Sequence, residues 1–293
     1  MKNKKKGTRI LPSKDSKILI DNLSQKAFAL NIAAKDKVED EMLESRKRKI
    51  TSKITIQNFS SNDIQFTEFD RAVLDAAIAE RAKGNEYTTA AILFRHLGGK
   101  RLTENMRRAI IASLDKLASV RVIVESDAAV KKGIVDYGGV QKIHGNLLPT
   151  VILEQKINGQ EVDAIKFSSD GIIFGNANLR DQIITCQQAL LNAPVKSTPR
   201  NIALNHYLLR RSLSIKGSNE LAESNKHVKP LCKVITFEDL YKHCGFDKDN
   251  KWQRQDARET TEKILKFLVE KEVIKNFEFI KKDGTFYSIE IFL

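Results

Sequence analysis

Two arginines four residues apart, Arg254 and Arg258, stand near the start of a helix predicted from about Trp252 to Glu270. Residues four apart share one helix face. An arginine can donate two hydrogen bonds to one guanine, and a glutamine such as Gln255 can pair with adenine in a similar two-pronged way. Trp252 can stack on a base or pack against a sugar. This combination is typical of a helix that contacts base edges in the major groove of DNA.

The same side chains also fit a structural role, and that alternative stays open. The two arginines could form surface ion pairs with Glu259 and Glu262, and such pairs are common and weak. Trp252 could cover the edge of the core, because tryptophan is mostly buried in proteins.

A second basic helix is predicted from Thr103 to about Val120, with an apolar stripe on one side. Its free face is predicted to carry Thr103, Asn105, Arg107, Arg108 and Lys116. Arg107 and Arg108 lie in the first two turns, where a recognition helix meets base edges. Glu104 is within reach of both, so an internal ion pair is the alternative.

Basic pairs also occur at predicted loops. Lys281-Lys282 precede Asp283-Gly284, a strong hairpin-turn signal, and Lys131-Lys132 lie between predicted strands of the first half. Lysines at a hairpin tip can contact backbone phosphates or the adjacent minor groove. Arg210-Arg211 is predicted to end a helix, where positive charge suits the C-terminus, or else to contact phosphate.

Each half of the chain contains the elements needed to hold such a helix in place. In the first half, helices are predicted to begin at Thr67, at Thr88 or Thr89, and at Thr103. Strands are predicted after them at 121–125, 133–137, 146–156 and 161–167, and Asn158-Gly159 is predicted to form the turn between the last two. In the second half, helices begin at Thr198-Pro199, at Thr236 and near Trp252, with a loop at 216–230, a short strand at 234–235 and a closing hairpin. Three helices and a hairpin form a winged helix, whose third helix is free to enter the major groove.

The predicted fold class is therefore α+β: two tandem winged-helix domains preceded by a basic, mostly disordered N-terminal arm. The predicted boundaries are 1–56 for the arm, 57–168 for the first domain, 169–197 for a linker with a short helix at 179–191, and 198–293 for the second domain. The arm contains Lys4-Lys5-Lys6 and Arg46-Lys47-Arg48-Lys49, with a transient helix between Ser24 and Leu43 as an option. It is either a phosphate-contacting segment or a solvated leader.

The composition favours a polyanionic partner. The 293 residues include 50 Lys and Arg against 37 Asp and Glu, a net charge of +13. No stretch approaches the roughly 18 apolar residues of a membrane-spanning helix, and no apolar run follows the basic N-terminus, so neither a membrane nor a secretory signal is expected. Three cysteines fit a reducing compartment, and the cytoplasm is the expected location.

Catalytic and metal-binding patterns are absent from the sequence. There is no GxxxxGK[ST] motif and no histidine pair typical of rolling-circle nicking enzymes. The residues that come nearest to a zinc set, with no CxxC pair among them, are His227, Cys232, His243 and Cys244. The chain is therefore expected not to be an enzyme and to need no metal or cofactor.

Three stretches resemble plasmid and mobile-element replication initiators of the tandem winged-helix type: Phe66–Asp75, Asn85–Thr89, and Ser113–Leu117 leading to Arg121–Val124. The resemblance covers roughly residues 60–293. It implies binding to repeated origin sites on double-stranded DNA, dimer–monomer switching with a homodimer, and recruitment of a host helicase and a host initiator. The chain departs from the pattern in its long basic N-terminal segment and in the long β segment of its first half.

Replication initiation is thus the leading expectation, with two recognition helices in successive major grooves ~10 base pairs apart. The two alternatives are a winged-helix transcriptional regulator and a winged-helix module that binds protein.

Overall fold

The computed structural model describes residues 15–19, 28, 31–32, 37–43, 51–126, 142–157, 160–169, 171, 183–224 and 233–293. The fold mixes helices and sheets. Several predicted features lie outside the described residues: Lys131, Lys132, the strand at 133–137, the Asn158-Gly159 turn, His227 and Cys232.

The described strands are β1 (Asp15–Leu19), β2 (Asn31–Ile32), β3 (Lys37–Leu43), β4 (Thr51–Asn58), β5 (Ile64–Gln65), β6 (Tyr87–Thr88), β7 (Val120–Ser126), β8 (Lys142–Asn146), β9 (Thr150–Ile157), β10 (Gln160–Phe167), β11 (Ile183–Gln187), β12 (Val234–Thr236), β13 (Asn276–Lys282) and β14 (Thr285–Phe292). The main helices are α1 (Glu68–Arg81), α2 (Ala90–His96), α3 (Glu104–Ser119), α4 (Pro199–Ser224), α5 (Phe237–Cys244) and α6 (Lys251–Glu270).

Threonine caps start four of these helices where the sequence predicts them. Thr67 forms a full capping box with Asp70, and Thr89, Thr103 and Thr236 each accept a hydrogen bond from a backbone N–H in the first turn. Gly245 ends α5 in the left-handed conformation, with φ of 73°. These helix starts are confirmed.

The two halves of the chain share one order of elements. Unit 1, as we call it, consists of α1, β6, α2, α3, β9 and β10; unit 2 consists of α4, β12, α5, α6, β13 and β14. The sheet orders are β6-β10-β9 and β12-β14-β13. In both, the short strand between the first two helices pairs with the last strand of the hairpin, so the third helix is backed by an equivalent sheet.

Unit 1 carries an insertion that unit 2 lacks. Between α3 and the β9–β10 hairpin the chain forms β7 and β8, which join β3 and β4 in a four-stranded sheet of order β3-β4-β7-β8. In this sheet Ile54 is paired with Val124, and Ile56 with Val122. β-Branched residues favour such pairing.

The prediction of a mostly disordered arm at residues 1–56 did not include the strands found in the described stretches of that segment. In the described part of that segment β1, β2, β3 and most of β4 are strands, and the predicted boundary after residue 56 falls inside β4. Lys37–Leu43 is likewise a strand and not the end of a transient helix. The strands exist because partners far along the chain satisfy their backbone hydrogen bonds.

Two further predictions are wrong. A helix is expected at 179–191, but the described residues of this range form the strand β11 and one 3₁₀ turn, Gln188–Leu191, because β11 pairs with β1. Residues 216–224, expected to be part of a loop at 216–230, belong to α4, which continues to Ser224. Ile215, fully buried near that point, supplies the packing that supports the longer helix.

The units meet where α1 packs against α4. All residues of α1 from Glu68 to Glu80 are buried, so its polar side chains find partners inside the protein. Arg210 of α4 binds both Glu68 and Asp75 of α1, and the three side chains are at most 5% exposed. Arg210 therefore lies mid-helix in this contact and does not reach a phosphate.

His206 lies one turn from Arg210 in the same contact. Its Nδ1 is 4.0 Å from Asp75 Oδ2, and neither ring nitrogen has a hydrogen-bond partner among the described residues. Burial lowers the pKa of His206 to about 3. The imidazole is therefore neutral in the folded protein near pH 7.

Candidate nucleic-acid interface

The start of α6 in unit 2 projects polar side chains away from the core. Asn250 caps the helix by accepting from the N–H groups of Trp252 and Gln253, at 3.0 and 3.2 Å. The buried side of the helix is formed by Ala257, Thr260, Thr261, Ile264, Leu265, Phe267 and Leu268. Arg254 and Gln255 are exposed on the other side. The helix is thus anchored along one face and open along the opposite one.

Phe286 of β14 connects α6 to the hairpin. The guanidinium of Arg258 lies 4.6 Å from the centroid of this ring, and the ammonium of Lys281 lies 4.7 Å from it. Cations are attracted to the negative face of an aromatic ring. One ring therefore holds two positive charges, one from the helix and one from the hairpin, close to each other.

The β13–β14 hairpin confirms the predicted turn. Asp283 and Gly284 both have positive φ, 50° and 75°, as a two-residue hairpin turn requires. Lys281 and Lys282 are exposed just before it, and Lys282 lies 5.8 Å from the ring of Tyr287, itself 53% exposed.

Four cations of this surface have no acidic partner in the described part of the chain. Among the residues that the structure describes, no carboxylate lies within ion-pair distance of Arg254, Arg258, Lys281 or Lys282; the pairs of α6 are Lys266–Glu262 and Lys271–Glu270. We call these four residues the cationic face. Glu259 and Glu262, the alternative partners of the arginines, are engaged by Gln255 at 2.8 Å and by Lys266 at 2.7 Å.

Tyr241 of α5 lies within electrostatic range of Arg254 and Arg258. Burial raises the pKa of its hydroxyl, and the positive charges of Arg254 and Arg258 act in the opposite direction. The charges of Arg254 and Arg258 therefore act on a residue of the second helix of unit 2.

Trp252 is 77% exposed. The interpretation of this residue as a cover over the core edge is therefore wrong. Its indole makes no ring contact or cation contact within the described part of the chain.

The corresponding helix of unit 1 differs in its charge. Arg107, predicted on the free face, is buried, and it donates to Glu104 at 3.1 and 3.2 Å and to Glu154 of β9 at 2.6 Å. The prediction that Arg107 contacts the major groove of DNA is wrong, because its guanidinium is bound to Glu154 and so connects α3 to the β9–β10 hairpin.

The other predicted residues of α3 are more accessible. Arg108 has a 69% exposed side chain, although its Nε is 2.9 Å from Glu104 Oε1. Thr103 and Asn105 are exposed, Thr103 serving also as the cap. Lys116 pairs with Asp70 at 3.3 Å. The cations of α3 are thus largely neutralised within the protein, unlike Arg254 and Arg258 of α6.

Unit 1 instead exposes apolar side chains on its sheet. Residues that are paired across strands point to the same face. Val151 is opposite Lys166, which is opposite Tyr87, and Leu153 and Val162 continue the same face along the hairpin. Tyr87, Val151, Leu153 and Val162 are 44–59% exposed. We call these four the apolar sheet face. Lys166 lies between Tyr87 and Val151, with its Nζ over the Tyr87 ring at 5.6 Å.

The sequence interpretation missed two aromatic residues of unit 2. Phe286 is directly opposite Lys281 in the hairpin and Tyr287 follows it, so their place just after the predicted Asp283-Gly284 turn was the available signal. No group of three or more His, Cys, Asp or Glu residues suited to a metal occurs within the described ranges. None of the helices described there is both long and apolar enough to cross a membrane.

Comparisons with known proteins give a weak likeness. No family model matches the chain, and no curated protein matches it. Two crystal structures of domains 2 and 3 of RctB are similar to this chain. The first has 12% sequence identity and a TM-score of 0.42, and the match covers 87% of this chain and 90% of that chain. The second has 10% identity and a TM-score of 0.44, and the match covers 90% of this chain and 95% of that chain. Both TM-scores are below 0.5, so the likeness alone establishes no function.

Proposed function

We propose that the chain binds double-stranded DNA as a tandem winged-helix protein, with unit 2 supplying most of the affinity. α6 enters the major groove and the β13–β14 hairpin lies along the backbone. The observation that carries this proposal is the cationic face. Arg258 and Lys281 lie over the same Phe286 ring, Arg254 lies one helical turn before Arg258, and Lys282 follows Lys281. Within the described residues, none of the four lies within ion-pair distance of a carboxylate. Free cations grouped in this way match a row of phosphates.

The residues of this surface are proposed to contact different parts of the DNA. Lys281 and Lys282 are placed for phosphate, which fixes the position of the protein on the duplex. Arg254 and Gln255 are exposed in the first two turns of α6 and supply base contacts. Gln255 can pair with adenine once its hydrogen bond to Glu259 is released.

Unit 1 is proposed to bind the neighbouring groove more weakly. Its exposed groups are Thr103, Asn105 and Arg108, and Glu104 already neutralises part of the charge. If both units bind, the protected site is about two helical turns long, and it is about one turn if unit 2 binds alone. A footprint of wild-type protein separates the two arrangements.

The decisive binding experiment compares two double variants. Arg254→Ala/Arg258→Ala removes two cations of the face, whereas Lys263→Ala/Lys275→Ala removes two exposed cations elsewhere in unit 2. Fluorescence anisotropy with labelled duplex DNA is expected to show a loss of at least tenfold for the first variant and less than threefold for the second, at about 1 kcal/mol or more per charged contact. Equal losses would mean that only overall charge matters.

The biological role that we propose is replication initiation at a plasmid or mobile-element origin, in the cytoplasm, with a host helicase and initiator as partners. The tandem arrangement and the resemblance of Phe66–Asp75 to initiators support it. A plasmid carrying the gene and its flanking repeats should replicate autonomously. Repression of a nearby promoter without replication would favour a transcriptional regulator.

The apolar sheet face favours a second candidate function, protein contact through unit 1. We propose that two copies meet there as a homodimer, since isologous contacts join identical patches. Leu153→Glu should shift sedimentation from dimer to monomer, while Gln65→Glu, at an exposed residue outside this sheet, should not. A monomer at all concentrations in the wild type would contradict this candidate.

A further inference from the structure

We infer that Trp252 stacks on an unpaired base, so that unit 2 prefers duplex DNA containing an unstacked nucleotide over fully paired duplex DNA. The inference rests on the proposed function, because it assigns a DNA substrate class to the same surface. It differs from that function in its chemistry, since the cationic face binds phosphates and needs no unpaired base.

The first observation is that the indole projects from a capped first turn of α6. Asn250 holds the N–H groups of both Trp252 and Gln253, so the first turn of α6 is well defined. The ring itself is 77% exposed and contacts no other aromatic ring or cation of the described chain. A large apolar ring held in water by a rigid turn is suited to a partner outside the chain.

The second observation is the position of the ring. Trp252 precedes Gln255 by three residues, so the two occupy neighbouring places on one side of the helix. Ala257, Thr261 and Ile264 define the opposite, buried side. A groove approach that brings Gln255 to a base edge therefore brings the indole to the same layer of the duplex.

The third point is what an indole can recognise. It has one N–H donor and a broad π-face, so its main contribution to nucleic-acid binding is stacking. A base in intact duplex is already stacked on both faces, whereas an extruded base offers a free face. Every base has such a face, so the preference concerns pairing state and not sequence.

The test uses the fact that Trp252 is the sole tryptophan of the chain, so tryptophan emission reports on this residue alone. Three probes about three helical turns long are compared: a fully paired duplex, the same duplex with one central bulged adenine, and the same duplex with a bulged abasic nucleotide. We expect the adenine bulge to quench the emission strongly and to bind about fivefold tighter or more than either other probe.

Variants at position 252 separate the outcomes. Trp252→Leu should lose more affinity for the adenine bulge than for the paired duplex, so that the preference disappears, and Trp252→Phe should keep part of the preference. Circular dichroism checks that both variants are folded. Equal affinity and equal emission with all three probes would overturn the inference, as would an equal loss for all probes in Trp252→Leu, which would indicate packing on the sugar-phosphate backbone.

Failure of the proposed function has a different signature. In that case wild-type protein would bind none of the three probes, or Arg254→Ala/Arg258→Ala would bind all of them unchanged. An emission change with a protein partner and none with any DNA probe would also reject base stacking.

Discussion

The guanidinium carbon of Arg258 lies 4.6 Å from the centroid of the Phe286 ring. This contact connects the third helix of unit 2 to its hairpin, and it holds the arginine without neutralising its charge. An acidic partner in the same place would position the side chain but cancel the charge that DNA binding needs. Arg107 of unit 1 shows that second arrangement, because Glu104 and Glu154 bind it.

Phe286→Leu should weaken DNA binding although no charge is removed. Without the ring, Arg258 and Lys281 lose the contact that fixes both of them, and an exposed cation–π contact contributes roughly 0.5–1 kcal/mol. We expect a loss of about three- to tenfold in affinity for duplex DNA, measured by fluorescence anisotropy. Phe286→Tyr keeps the ring and serves as the control. Wild-type affinity in Phe286→Leu would show that the ring does not position the cations.

Arg107→Ala should lower the free energy of unfolding. The guanidinium is buried, whereas its partners Glu104 and Glu154 have side chains about half exposed, which moderates the effect. We expect a loss of about 1–2 kcal/mol in urea unfolding followed by circular dichroism. Arg108→Ala is the matched control, expected within about 0.5 kcal/mol of wild type because that side chain is mostly exposed.

His206 should make stability depend on pH in the mildly acidic range. Its pKa is lowered to about 3 in the folded protein, so the unfolded chain, with an ordinary value near 6.5, binds the proton more readily. Stability is therefore complete above about pH 6.5 and falls as the pH drops toward 3.

His206→Leu should flatten this dependence between pH 7 and pH 5, as measured by thermal unfolding. Burial alone would raise the pKa of Glu80, but the hydrogen bonds with His96, Lys83 and Asn85 lower it to about 2. The stability that Glu80 contributes is therefore lost only below about pH 4.5. Glu80 does not interfere in that window. An equally steep profile in His206→Leu would assign the pH dependence to another group.

Gly98→Ala should be more disruptive than Gly84→Ala. Both glycines have positive φ, 85° and 83°, so a side chain is strained at either position by about 1–2 kcal/mol. A Cβ at residue 98 would in addition overlap the carbonyl of Leu191, whereas residue 84 faces open space. Gly98→Ala should therefore show the larger drop in melting temperature. Equal drops would mean that the 3₁₀ turn at Leu191 moves freely.

Local signals account for what the sequence predicted well. The threonine caps, Gly245 and Asp283-Gly284 act within a few residues, so the starts of α1, α2, α3 and α5 and the last hairpin could be placed. Features that depend on distant partners were missed. The pairing of β1 with β11 joins residues 168 positions apart, such as Lys17 and Thr185.

The candidate site was predictable to a similar degree. Arg254, Gln255, Lys281 and Lys282 are exposed as expected, because their surroundings come from nearby helix and hairpin positions. Arg107 could not be judged from α3 alone, since Glu154 reaches it from a strand 47 residues later. The contacts that a basic helical residue makes with other elements of the fold must therefore be known before the residue can be assigned to DNA.

The most direct test of the cationic face is the salt dependence of duplex binding. Each phosphate contact contributes about 0.9 to the slope of log Kobs against log salt concentration. Replacing Arg254, Arg258, Lys281 and Lys282 by alanine should reduce the steepness of that slope by about 2 to 4 relative to wild type. A wild-type slope in the quadruple variant, or binding by the wild type that does not weaken as salt rises, would contradict the assignment of DNA binding to unit 2.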